Sequence, residues 1–316
     1  MNTAEAADSR GSPGATPEEP RIAIGIDVGG TSVKAIVANE RGQVLATQRA
    51  PSDRDAAALV ATVRSVMDSL RAPAAGASRL GLATAGVPHP EGRRVQFCPG
   101  SKLDIEGIDW AGALDWREAI CLLNDANAAL LGEAWIGAAR GRRHALMLTL
   151  GTGVGGGILV DGRLLRGARG RAGHVGHISL FSDRRPSILG MPGSLEDAVG
   201  EQTIASRTGG RNRSTADLLE AYRAGDPAAT RVWLAAVDAL ARGLASLINV
   251  LDPEIVILGG GIAQAGAALF EPLERAMVRV EWRPDGRGVP IIPAQLGDVA
   301  GAIGAARQAL EDEAVL

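Results

Sequence analysis

Residues 22–45 read IAIGIDVGGTSVKAIVANERGQVL. The apolar run IAIGIDV, stopped by Gly29-Gly30, has the pattern of a buried strand that ends in a turn. VKAIVAN supplies a second strand, Glu40-Arg41-Gly42 a turn, and VLATQRA a third strand. Residues 146–165, LMLTLGTGVGGGILVDGRLL, run in the same order: strand, Gly-Thr-Gly, strand, a turn at Asp161-Gly162, strand. Two copies of one β-turn-β-turn-β unit predict a duplicated α/β architecture. The two related domains would face each other across a cleft that holds a ligand.

Helices are predicted around these copies. Leu59, Val60, Val63, Val66, Met67 and Leu70 recur at helical spacing and predict a helix over 53–70, with Ser52 or Asp53 as N-cap. Further helices are expected over 126–139, 228–251, 266–280 and 302–311. RLGLATAG (79–86), CLLND (121–125) and EIVIL (254–258) read as strands. The expected division is a disordered tail at 1–20, an N-terminal domain at 21–120 completed by 298–316, and a C-terminal domain at 121–297.

The composition narrows the function. A chain of 316 residues is long enough for two domains with ample core. A formal charge of −3 and an aromatic content of 3% argue against nucleic-acid and anionic-membrane partners. The apolar runs are broken by Gly or charge before the roughly eighteen residues a spanning helix needs. Cys98 and Cys121 have no metal or disulfide spacing. The first twenty residues lack an apolar h-region, so a cytoplasmic location is expected.

Three turns follow buried strands: Gly29-Gly30-Thr31, Gly151-Thr152-Gly153 and Gly259-Gly260-Gly261. Glycine lets backbone N–H groups converge on an anion, so each turn suits a phosphate. Gly151, Gly153 and Gly156 also satisfy G-x-G-x-x-G. That fingerprint opens a helix, whereas GILVDGRLL reads as a hairpin, so a dinucleotide-binding Rossmann unit is excluded. No G-x-x-x-x-G-K-[ST] segment is present. Asp27 has two readings, a turn-stabilising carboxylate or a holder of Mg²⁺ through its water shell. Asp125 by position reads as a helix N-cap.

IGIDVGGTSVKAIV, LLNDANAALLGEAWIGAA, LTLGTGVGGGILVDGRLLRGARGRAGHVGH and LDPEIVILGGGIA resemble the ROK family (repressors, open reading frames, kinases). The family belongs to the actin, hexokinase and Hsp70 superfamily. The resemblance runs from about residue 22 to 310, with the motifs in the family's order. It implies two ribonuclease-H-like, actin-like α/β domains and an ATP-dependent carbohydrate kinase using Mg²⁺. The ATP-binding residues it implies are Asp27, Gly29, Gly30, Thr31, Lys34, Gly151, Thr152, Gly153, Gly260 and Gly261. Asp125 becomes the catalytic base, and a homodimer is expected.

The resemblance also places the acceptor: Asn124, His174, His177, Glu196, Gly86 and Gly100 form the sugar side. Here the sequence departs from the family. Its usual Glu-x-Gly-His reads His174-Val175-Gly176-His177, and its zinc segment reads PSILGMPGSLED, without cysteine. Structural zinc is therefore not expected, since a closed tetrahedral site needs four ligands. The acceptor set widens to a hexose, an amino sugar, an N-acyl sugar or a cyclitol. Two alternatives stand beside the kinase. One is a non-catalytic sugar-sensing regulator, which would need a DNA-binding domain ahead of the first strand. The other is a kinase with polyphosphate or another nucleotide as donor, since glycine turns read phosphates and not bases.

Overall fold

The computed structural model describes residues 20–98, 103–118, 120–181 and 190–311. Numbered in chain order, the first sheet is built from β1 (Ile22–Val28), β2 (Ser32–Asn39), β3 (Val44–Pro51), β4 (Arg79–Thr84) and, after a β5–β6 hairpin (Val87–Pro88 with Val95–Phe97), β7 (Ile120–Asn124). Its order is β3-β2-β1-β4-β7. β1 pairs antiparallel with β2 and parallel with β4, which pairs parallel with β7. The second sheet uses β8 (Ala145–Leu150), β9 (Val154–Val160), β10 (Arg163–Leu164), β11 (Ile255–Gly259) and β12 (Ile291–Pro293). Its order, β10-β9-β8-β11-β12, carries the same succession, two antiparallel pairs and then two parallel pairs. The duplication expected from the turns is therefore a duplication of whole sheets.

The helices are α1 (Ala56–Ser69), α2 (Trp110–Ala113), α3 (Asp125–Ile136), α4 (Leu195–Val199), α5 (Ile204–Arg207), α6 (Thr215–Arg223), α7 (Pro227–Leu251), α8 (Ala267–Val280) and α9 (Ala300–Glu311). α1 starts later than expected, because the Asp55 carboxylate caps it by accepting from the Ala58 N–H. α7 reaches the length and apolarity of a membrane span, which the reading of apolar runs missed. Its Trp233, Leu240 and Leu244 lie in the core of the second sheet.

β1 shows why the sheets pack as they do. Ile24, Ile26 and Val28 point to the α1 side and join that core. Ala23, Gly25 and Asp27 point to the other face, the period-2 consequence of a strand. A side chain at Gly25 would strike the backbone of α9 at Ala302 and Ala306, and one at Gly81 of β4 would strike Ala305. Helix α9 therefore sits almost on the sheet, and Asp27, the last residue but one of the strand, lies beside Gly301 in the first turn of that helix.

Helix α3 lies between the two halves. Ala126 to Glu133 are all buried, Asn127 and Glu133 included, because the helix is packed on every side. Gly132 and Gly304 let its backbone meet that of α9, while Gly155 and Gly157 of β9 receive Ala126 and Leu130. β7, which leads into α3, pairs inside the first sheet. The first sheet thus runs to Asn124, four residues past the expected division.

Candidate functional site

The first turn leaves β1 at the end that carries Asp27. Gly29 N–H donates to the Ser32 carbonyl at 3.1 Å, and Ser52 Oγ donates to the Gly29 carbonyl at 2.5 Å. Lys34, opposite Asp27 in the β1–β2 register, places Nζ 3.4 Å from Asp27 Oδ2. Burial raises the Asp27 carboxyl to about 6; Lys34 opposes this, and Asp125 and Asp298 add to it by repulsion. The fields of Asp27, Lys34 and Asp125, expected to meet from the sequence, thus overlap.

Asp125 opens β7 into α3. The cap of that helix is Asn124, one residue before the position considered from the sequence. Asn124 Oδ1 accepts from the N–H groups of Ala126 (3.1 Å) and Asn127 (3.3 Å). Its Nδ2 donates to the Gly86 carbonyl at 3.1 Å. Asn124 is buried, and its amide holds the Asp125 turn and the Gly86 loop together. Asp125 is left as the accessible residue at this point of the chain, with Oδ1 accepting from the Ala126 N–H at 2.8 Å. The protein around it raises its pKa, against hydrogen bonds from Ala126 and Asn124 and the charge of Lys34.

The second turn is braced from behind. Gly151 N–H donates to the Gly153 carbonyl, Glu201 N–H to Gly151 and Gln202 N–H to Thr152, at 2.9, 2.9 and 3.1 Å. Glu196 Oε2 accepts from the Val154 N–H at 2.9 Å, and Oε1 accepts from Gln202 Nε2 at 3.0 Å. A side chain at Gly153 would strike this carboxylate. Glu196, expected on the sugar side, thus braces the second turn through its carboxylate. Gly260 at φ 85° packs on the Leu150 backbone, which joins the third turn to the second. Gly156 faces Val175 and Gly173 and serves packing, in keeping with a G-x-G-x-x-G pattern that opens no helix.

His174 and His177 stack with ring centroids 6.2 Å apart. His174 Nδ1 lies 3.2 Å from the Arg171 carbonyl. The N–H on that nitrogen donates, which leaves Nε2 as an acceptor. Burial, and then the neighbouring His177, lower the His174 pKa, so the ring is neutral at pH 7. Gly100 lies outside the described residues. Gln202, Asp298 and Ser52 were missed from the sequence; they occupy no motif and reach the site through the fold.

Comparison with known proteins matches the ROK family model over residues 23–312. A glucokinase of Streptomyces coelicolor is 30% identical, aligned over 93% of this chain and 99% of its own. A ROK hexokinase from Thermus thermophilus has a crystal structure that matches with a TM-score of 0.80 at 31% identity, covering 92% of this chain and 98% of that one. A ROK family glucokinase from Streptomyces griseus, in complex with glucose and AMPPNP, matches with a TM-score of 0.77 at 28% identity, covering 92% and 99%. Two ribonuclease-H-like sheets of the same strand order define the actin-like ATPase fold, here in the form of a carbohydrate kinase. The chain belongs to the ROK family.

Exchanging His174 for Glu is expected to shift relative kcat/KM between acceptor sugars by at least about tenfold, because a site that hydrogen-bonds a substrate hydroxyl discriminates strongly between acceptors. The KM for ATP should stay within about twofold, because the glycine turns are untouched. Steady-state kinetics on two sugars checks this; a change confined to ATP would contradict a place on the acceptor side.

Proposed function

We propose that the protein transfers the γ-phosphoryl group of ATP to a hydroxyl of a hexose-type sugar or sugar-like polyol, with Asp125 as general base. The observation that carries this reading is the accessible Asp125, set at the junction of the two halves and sharing the field of Asp27 and Lys34. Gly30, Gly151 and Gly261 have open space where a side chain would stand, a cradle that suits phosphates. Asp27, repelled by Asp125 and Asp298, suits a hydrated Mg²⁺. Mg²⁺ when bound neutralises charge on the transferring phosphates.

The protein's own part is alignment and one proton. Asp125 accepts the proton of the attacking hydroxyl as the new P–O bond forms. Its raised pKa makes the ionised form a better base than an ordinary carboxylate. Asn124 fixes the turn that aims it, and Lys34 faces the phosphates. Glu196 acts through the second turn, and the neutral His174 offers an acceptor to a sugar hydroxyl. The lobes are divided at Asn124–Asp125 and again between Pro293 and Ala300; their closure keeps water from the γ-phosphate. The same reading includes a homodimer and a cytoplasmic location. A panel of hexoses, N-acyl amino sugars and cyclitols assayed for ADP release with ATP and Mg²⁺ tests it. Acceptor-stimulated release is expected with at least one, and none with any would overturn it.

The pH dependence has a definite sign. Asp27, at about 6 in the fold, and Asp125 must both be ionised. kcat/KM, which reports the free enzyme, should therefore fall as pH drops through about 6. The folded Asp27 binds its proton more tightly than the unfolded one, whose ordinary value is 3.8. Its favourable contribution to stability is therefore present at low pH and is lost as pH rises from near 3.8 to about 6. A pH–rate profile flat down to pH 4.5 would contradict the assignment.

A further inference from the structure

Glu133 is fully buried, and no cation pairs with it among the described residues. Its carboxylate is filled by backbone donors instead. Oε1 accepts from the N–H groups of Gln295 (2.9 Å) and Leu296 (2.8 Å), and Oε2 from the Ala138 N–H (2.7 Å). Ala138 follows α3, whereas Gln295 and Leu296 lead into α9. A buried carboxylate is costly unless its lone pairs are satisfied, so these bonds are fixed points of the fold. The two helices they join also meet backbone to backbone at Gly132 and Gly304.

Each helix leads to one of the acidic groups of the site. α3 begins at Asp125, eight residues or about 12 Å along the helix axis from Glu133. α9 places Gly301 against Asp27: a Cβ there would be 3.0 Å from Asp27 Cγ. We propose that Glu133 is a positioning residue for phosphoryl transfer, tying the helix that carries the base to the helix that abuts the first phosphate turn. Asp125 and Asp27 are then referenced to one rigid block. This rests on the function proposed above.

The test compares wild type with Glu133→Ala and Glu133→Gln. Turnover is expressed per nucleotide site, titrated calorimetrically with a non-hydrolysable ATP analogue, so misfolded protein is not counted. Glu133→Ala is expected to lose about 10²-fold in kcat per site, the cost of a base displaced by about 1 Å, with both KM values within about threefold of wild type. Glu133→Gln keeps the acceptor for Gln295 and Leu296 but turns an NH₂ on the Ala138 N–H; a loss of about tenfold is expected. If Ala does not fold, Gln decides. Wild-type kcat per site in the folded variants, with only a lower melting temperature, would overturn the positioning role. A wild-type enzyme without sugar-dependent turnover would instead sink the function on which it rests.

Discussion

Asp125→Ala is expected to lower kcat for sugar phosphorylation by about 10²–10⁴-fold, the contribution of a positioned general base. The fold should survive. The helix cap belongs to Asn124, whose Oδ1 holds the Ala126 and Asn127 N–H groups whatever stands at 125. Asp125 gives up its bonds from Ala126 and Asn124, and its loss removes a charge that repels Asp27. The melting temperature at pH 7 should therefore hold or rise, and ATP should still bind. Steady-state kinetics with a thermal melt on the same sample checks both halves. Near-normal kcat would remove Asp125 from the chemistry, whereas an unfolded variant would make it a structural cap.

Gly304→Val is expected to have the largest effect on stability. A side chain at this position would fall on the Ala128 carbonyl oxygen of α3, with the Ala128 carbonyl carbon 2.6 Å and the Gly132 nitrogen 2.8 Å from its Cβ. These are backbone atoms and cannot swing aside as a flexible side chain can. The helices must separate, which strips contacts along the whole crossing. Overpacking typically costs about 1–3 kcal/mol and sometimes more; a backbone collision on a helix–helix seam belongs at the upper end. Urea denaturation should show the midpoint falling with an unchanged m-value. Activity should fall as well, because the same seam sets the helix that carries Asp125. A midpoint within error of wild type would mean that the two helices do not cross as closely as described.

Much of this architecture was legible in the chain because turns and alternation are local. The paired β-turn-β-turn-β units stand in both copies, and their sheets have one topology. The three glycine turns were legible for the same reason. The assignment of side chains to ends of the site was less so. Asn124 and Asp125 are adjacent and both are good caps, so sequence cannot say which one faces the helix; the structure gives the cap to Asn124. Glu196 falls in a segment that departs from the family pattern, and its partner Gln202 becomes visible only when α4 is folded against the second turn. In GTGVGGG, spacing cannot separate glycines that form the turn from those that admit α3 and Val175. Glu133 sits in a helix buried on every side, where a charged residue carries no periodic signal; two of its three backbone partners lie 162 and 163 positions away.

A structure with a non-hydrolysable ATP analogue, Mg²⁺ and an accepted sugar tests the central claim most directly. An Asp125 carboxylate oxygen should lie within hydrogen-bond reach of one sugar hydroxyl, about 2.6–3.2 Å, with that hydroxyl in line with the γ-phosphorus and the phosphates on the glycine turns at 29–31 and 151–153. A hydroxyl aligned by another group, with Asp125 turned away from the cleft, would contradict it.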